Sequence, residues 1–381
     1  MTAFRRMKNQ ISEFLQSRIN ARDFPSAVYL VAEKGEIVLQ DALGFAVVEP
    51  EKIKAKVDTI YDLASLTKPL VTGLLCARLI ERGEINLADK IANYFDEFNT
   101  SEKREITVEN LLTHTSGFQA WKPFYLISNF KSKIPSLIAA EPLENLPNSR
   151  VLYSDLNFLI LGFLLEKIHS ESLDNIARKE IFSRLKLENT FFNPPKQMRK
   201  QIAANENGNH YELQMAKEKS FDVDNEQIQN PKSKIQNRKV WGEVHDGNCY
   251  FMNGVSGHAG LFSTAEEMFK IAQHFLPETT KLLEPETCKL FRTNFTEGFN
   301  EARSVAFQLA ETKDSTASES LSKDSFGHLG FTGTSIWIEP ETERAFILLT
   351  NRTHARELPF ANINETRRRF QELAANALNQ K

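Results

Sequence analysis

Cysteine is scarce in this chain: Cys76, Cys249 and Cys288 are the only three in 381 residues, far apart and with no C-x-x-C spacing. They read as buried or free thiols of a reducing compartment. Neither sign of charge dominates. Lys and Arg number 47 against 50 Asp and Glu, a net charge of −3. A chain this balanced has no polyelectrolyte character and gives no case for a nucleic-acid partner. No apolar run reaches the roughly 20 residues that cross a bilayer, so no membrane partner is expected. There is no H-E-x-x-H, no Walker loop, no G-x-S-x-G elbow and no internal repeat. The N-terminus also lacks the pattern of a secretory signal. Arg5, Arg6 and Lys8 are present, but Lys8-Asn9-Gln10 stand where an apolar stretch should begin. A cytoplasmic location is the resulting expectation.

What remains is the composition of an ordinary globular enzyme, 41% hydrophobic and 25% charged. The length suits two domains, or one with a large insertion. Phe4, Met7, Ile11, Phe14 and Ile19 recur at helical spacing and predict an amphipathic N-terminal helix that packs on the fold. Ala27 to Glu33 and Ile37 to Phe45 read as strands joined at Lys34-Gly35-Glu36. The region from Thr67 to about Ile181 reads as mostly helical, with Val108 to Leu112, Ile134 to Ala140 and Phe158 to Ile168 as examples. Strand character returns at Ser304 to Leu309, Thr334 to Ile338 and Ala345 to Thr350, before a closing helix over Phe370 to Leu378. Two polar stretches, Asp222 to Lys239 and Glu311 to Ser325, read as a surface loop and a mobile insertion.

Strands at both ends with helices between predict an α+β fold. One antiparallel sheet is built from both chain ends and flanked by the terminal helices, and a mainly helical domain is inserted. The expected division is 1–64 with 256–381 for the sheet domain and 65–255 for the insertion, with the site in the cleft between them.

The richest motif is Tyr61-Asp-Leu-Ala-Ser65-Leu-Thr-Lys68-Pro69, an S-x-x-K string. A serine hydroxyl is a poor nucleophile until something takes its proton. Residues three apart share a helix face, so Lys68 can place its amine beside Ser65. Free N–H groups at a helix start favour a developing anion. The apolar run from Leu70 to Leu79 predicts a buried helix over Thr67 to Glu81, and Pro69 is tolerated only in its first turn. Burial is expected to lower the Lys68 pKa and make the amine a usable base.

Other segments each carry two readings. Tyr153-Ser154-Asp155 precedes a helix; Tyr153 is either a phenol acting as base or acid near a cationic lysine, or a packed aromatic. Gly327-His328-Leu329-Gly330-Phe331-Thr332-Gly333 is either a plain turn into a strand or a close-approach site. In the second case an edge N–H completes an oxyanion hole with that of Ser65. His114, in Leu112-Thr-His-Thr-Ser-Gly117, is either a base or a structural hydrogen-bonder. Phe118, Trp121, Phe124 and Tyr125 wall an acyl pocket or fill the core. His245, Asp246, Cys249 and His258 lack the close ligand pairs of zinc sites, so no metal is expected.

Taken in order, these motifs resemble the serine β-lactamase and penicillin-binding-protein superfamily in its class C branch, which includes family VIII carboxylesterases. The resemblance runs over about residues 25 to 355: S-x-x-K at Ser65 and Lys68, Leu-Leu-Thr-His-Thr-Ser-Gly at 111 to 117, Tyr153 to Asp155, and His-x-Gly at 328 to 330. The run from Val244-His245-Asp246 through Gly257-His258-Ala259-Gly260 to Ser263 is similar to β-lactamase-like hydrolases, some of which act on muropeptides. The resemblance implies that Ser65 forms an acyl-enzyme, that Lys68 and Tyr153 share the proton work, and that the N–H groups of Ser65 and Phe331 hold the oxyanion. No cofactor is implied.

Two departures bear on substrate. Asp155 stands where lactamases carry an Asn that donates to substrate; an ionised Asp cannot donate, and pairs with Lys68 or binds an amine instead. His328-Leu329-Gly330 stands where they carry Lys-Thr-Gly, whose Lys and Thr hold the substrate carboxylate. Leu329 removes the hydroxyl, and His328 is only partly charged near neutrality. The expectation is therefore a carboxylesterase on short to medium acyl esters. A muropeptide amidase or peptidase, a weak β-lactamase and an acylated sensor remain as alternatives. In each case the partner is a small ester or amide.

Overall fold

The computed structural model describes residues 3–223 and 229–379. Among the described residues ten strands lie in chain order: β1 (Ser26–Glu33), β2 (Glu36–Val47), β3 (Ile53–Lys54), β4 (Tyr61–Asp62), β5 (Phe191–Phe192), β6 (Leu261–Ser263), β7 (Gln308–Leu309), β8 (Phe326–Leu329), β9 (Ser335–Glu339) and β10 (Arg344–Thr350). Seven form one sheet in the order β3-β2-β1-β10-β9-β8-β7, with every neighbouring pair antiparallel. The central pairing of β1 with β10 joins the two ends of the chain, Ala27 facing Thr350 and Glu33 facing Arg344. The expected α+β architecture is the one observed.

Alternation along β1 divides the core. Val28, Leu30 and Ala32 enter the main core with the helical region. Ala27, Tyr29 and Val31 face the other way and meet Ile11, Leu15, Phe370 and Ala374 of the helices Ala3–Asn20 and Asn364–Asn379. Both faces are thus covered, which is why β1 reads as a continuous apolar run rather than an alternating one. A smaller sheet, β4-β6-β5, ties the segment before Ser65 to the region after the helices.

Several sequence expectations change in detail. Of Ser304 to Leu309, only Gln308–Leu309 is paired as strand, whereas Phe326–Leu329, read as a turn or a site, is a strand between β7 and β9. Glu311 to Ser325 holds no helix or strand but is anchored. Ala317 and Leu321 pack under the terminal helices, and Thr316 accepts from Trp337 Nε1 at 3.1 Å. In the 222–239 stretch, residues 224–228 lie outside the described residues. Ile235 and Arg238 are buried there, so the segment is not simply a surface loop. Phe118, Trp121, Phe124 and Tyr125 all belong to the main core.

Candidate active site

The site begins with a strained turn. Ala64 has φ +47°, unusual for a residue with a Cβ. Its N–H is held by Asp62 Oδ1 at 2.9 Å. Ser65 follows in a single 3₁₀ turn, Ala64–Leu66, and the chain then runs through wide π-type turns over Lys68–Gly73 before the α-helix Leu74–Glu81. The sequence predicts one α-helix from Thr67. Pro69 has no N–H to give the carbonyl four residues back, which is that of Ser65, so regular α-geometry starts later.

Lys68 is the hub. Its side chain is wholly buried, and Nζ donates to Ser65 Oγ at 2.8 Å and to the carbonyl of His258 at 3.1 Å. It is ion-paired with Asp155 at 2.7 Å. The Tyr153 phenol interacts with both Lys68 and Ser65, and its ring lies 5.0 Å from Nζ. Ser65, Lys68, Tyr153 and Asp155 are therefore brought together. The charge state differs from the sequence expectation. Burial pushes the Lys68 pKa down, but Asp155 and Tyr153 outweigh it and the net direction is up. Burial likewise raises the Tyr153 phenol in spite of Lys68, where a nearby cation alone predicts a fall. At rest Lys68 is therefore an ammonium.

Position of the Tyr-Ser-Asp segment is set from behind. Ser154 caps the helix Asp155–His169, accepting from Leu156 N at 3.2 Å. The 111–117 motif props it: His114 Nδ1 accepts from Ser154 N at 3.1 Å, and Ser116 donates to Asn157 at 2.6 Å. The His114 ring packs 4.5 Å from that of Tyr153, and burial holds its pKa well below the ordinary value. His114 is a structural hydrogen-bonder here.

Across from Ser65, β8 ends at Leu329 and the turn Gly330–Gly333 follows. Gly330 sits where a Cβ would lie 2.5 Å from the Leu63 carbonyl, so only glycine allows the approach. Thr332 donates to Asp62 O at 2.7 Å and Thr334 to Leu63 O at 3.0 Å. These two bonds fix the turn to the segment carrying Ser65. The Phe331 N–H meets no acceptor among the described residues. His328 is buried, and burial, then Lys68 and Arg303, push its pKa well below the ordinary value. Its Nδ1 donates to Leu329 O at 2.9 Å. Partial charge near neutrality is thus replaced by a neutral ring.

A further acid, which the sequence suggests only as a metal ligand, joins the group. Asp246 lies beside this group: ligand atoms of Asp155, Asp246 and His258 are within 4.8 Å of one another. His258 Nε2 contacts Asp246 Oδ1 at 2.9 Å, and the same oxygen accepts from Cys249 N at 2.7 Å. Burial works to raise the Asp246 carboxyl, but His258 holds it down at about 2. Asp155 and Asp246 are each 18% exposed, so the visible charge near Ser65 is negative. Asp62, Asp246 and the His258 carbonyl were not singled out for these roles in the sequence. Only the nearness of Asp62 to Ser65 offered a signal.

The β-lactamase family model matches residues 8–367. A protein of Escherichia coli K12 named "Putative D-alanyl-D-alanine carboxypeptidase" is 31% identical over 375 residues, covering 91% of this chain and 82% of that one. A like-named protein of Salmonella typhimurium is 31% identical over 388 residues, covering 93% and 84%. Among solved structures, EstCE1, described as a hydrolase with promiscuous acyltransferase activity, superposes with TM-score 0.71 at 19% identity over 99% of this chain and 98% of its own. A class C β-lactamase does so with TM-score 0.71 at 14% identity over 100% and 99%. The last two are alike in fold. The family match across nearly the whole chain, with relatives at 31% identity, makes this protein a hydrolase of the β-lactamase family.

Proposed function

We propose that Ser65 attacks a carboxylic ester to form an acyl-enzyme, which water then releases, in the cleft between the sheet domain (1–64 and 256–381) and the inserted domain (65–255). The observation that carries this reading is the 2.8 Å bond between Lys68 Nζ and Ser65 Oγ, backed by Asp155 at 2.7 Å. Because Lys68 rests as an ammonium, it works as a relay. It takes the Ser65 proton as it gives one of its own to Asp155, while Oγ bonds to the carbonyl carbon. The N–H groups of Ser65 and Phe331 receive the oxyanion. Tyr153, set beside Ser65 and Lys68, protonates the departing alkoxide and is reprotonated through Lys68. Water repeats the sequence with Ser65 as the leaving group.

Esters are preferred over substrates with a carboxylate beside the scissile bond. Such a carboxylate would meet a neutral His328, no hydroxyl at Leu329, and the acids Asp155 and Asp246. A second reading, a peptidase on muropeptides, is favoured by the names of the relatives at 31% identity. One experiment separates them. Intact mass after a fluorophosphonate probe is measured for wild type and Ser65→Ala, with turnover of p-nitrophenyl butyrate, nitrocefin and a D-alanyl-D-alanine peptide. A Ser65-dependent adduct with ester cleavage dominant is expected. Peptide release outpacing ester cleavage would shift the assignment to the second reading. An adduct that survives Ser65→Ala would remove the nucleophile.

A further inference from the structure

The C-terminal helix contributes a buried cation to the turn that faces Ser65. Arg367 is 5% exposed. One of its terminal nitrogens donates to Gly330 O at 2.8 Å and to Thr334 O at 2.9 Å, and the other donates to Asn364 Oδ1 at 3.0 Å. Arg367 has no carboxylate partner among the described residues. A buried guanidinium satisfied by carbonyls alone is costly, so its location calls for a reason. Gly330 O and the Phe331 N–H are the two ends of one peptide group. A cation bonded to the oxygen draws electron density through the amide and makes the N–H a stronger donor, as in any hydrogen-bonded chain in a low-dielectric interior. That N–H meets no acceptor among the described residues.

Arg352 supplies the contrast. Its Nε donates to Phe331 O at 2.7 Å and it also donates to Ala361 O at 2.9 Å. It grips the same turn, but its oxygen belongs to the next peptide group, so it polarises the Thr332 N–H. The two arginines hold the turn alike and differ in which amide they activate.

We infer that Arg367 is a positioning and polarising residue for the oxyanion site, acting through the Gly330–Phe331 peptide on the Phe331 N–H. The inference rests on the acyl-enzyme reading above and adds a residue far from the motifs. Loss of a whole oxyanion donor costs about 10²–10³ in rate, and weakening one should cost about tenfold.

The test compares wild type with Arg367→Met, Arg367→Lys and Arg352→Met. The acylation rate is taken from the burst with p-nitrophenyl butyrate, and the infrared carbonyl band from the acyl-enzyme of the ¹³C-carbonyl ester. Arg367→Met should acylate about tenfold more slowly at unchanged KM, with the acyl band moved to higher frequency. Arg367→Lys should recover part of both. Arg352→Met should leave the band in place. A band unmoved in Arg367→Met, or moved equally in Arg352→Met, overturns the inference while leaving the acyl-enzyme standing. Absence of a Ser65 acyl band in wild type overturns both. If Arg367→Met fails to fold, the band position in Arg367→Lys decides: a partial shift supports the inference and none refutes it.

Discussion

Replacing Asp155 by Asn tests where the Ser65 proton ends. In the relay Asp155 must accept a proton from Lys68, so a carboxylate governs the acid side of the rate. In Asp155→Asn the amine must be the final acceptor, and the acid limb becomes that of Lys68. Burial acts downward on that amine, and Asp155 and Tyr153 act upward; the variant removes the larger of the two upward influences. Reference values for an amine and a carboxylate differ by about six units, and full burial lowers a lysine by up to about 3–5. Lys68 is wholly buried, and across that whole range a buried amine still keeps its proton to higher pH than a reference carboxylate. The acid limb of kcat/KM should therefore move to higher pH by roughly one to three units. Between the old limb and the new one, the rate should fall by the same number of factors of ten. The measurement is kcat/KM for p-nitrophenyl butyrate against pH, with thermal unfolding as the check that the variant is native. If Lys68 were itself the resting base, Asp155 would be holding it protonated. Its removal would then move the limb to lower pH and raise activity near neutrality. That outcome would refute the relay.

Two other outcomes follow from the same geometry. His328→Lys with Leu329→Thr restores a cation and a hydroxyl at the end of β8, and should raise nitrocefin turnover relative to ester turnover by at least tenfold, as expected for a charge-assisted bond of about 1.5–3 kcal/mol; an unchanged ratio would place the carboxylate barrier at Asp155 and Asp246 instead. Phe370 is fully buried, with its ring 5.9 Å from that of Tyr29. Phe370→Ala should cost about 3–5 kcal/mol in urea unfolding, and a cost below about 1 kcal/mol would mean that the terminal helix is not a fixed part of the second core.

The parts legible in the sequence were those carried by local periodicity. Strand β1 and its partners β2 and β10, the two terminal helices, and the helix at Asp155–His169 follow from apolar spacing alone. Ser65, Lys68, Tyr153 and Asp155 are legible as types at a spacing, and the fold brings their side chains into one group. What was not legible is what the group does electrically. Burial of a lone lysine predicts a lowered pKa; the sign reverses because a helix starting 87 residues later begins with Asp155 rather than an amide. No window of sequence contains that contact. His328 illustrates the converse. Its ordinary pKa allows a charge near neutrality, but burial, with Lys68, Arg303 and Arg367 nearby, removes it.

The long-range pieces share one physical origin. Backbone carbonyls left over at chain turns must find donors, and here the donors come from remote elements: Lys68 on His258 O, Thr332 on Asp62 O, Thr334 on Leu63 O, Arg367 on Gly330 O. A carbonyl has no sequence signature, so a site assembled on carbonyls cannot be read from motifs. The donors can, once the fold is known. Each is a polar side chain buried where an apolar one would be cheaper. Three of the four end on carbonyls within three residues of Ser65 or Phe331, and the fourth ties Lys68 to His258. The motifs thus name the groups proposed to meet substrate, while the unexplained buried polar residues mark the frame that fixes their distances. In this chain that frame reaches from Asp62 to Arg367, most of the length of the protein.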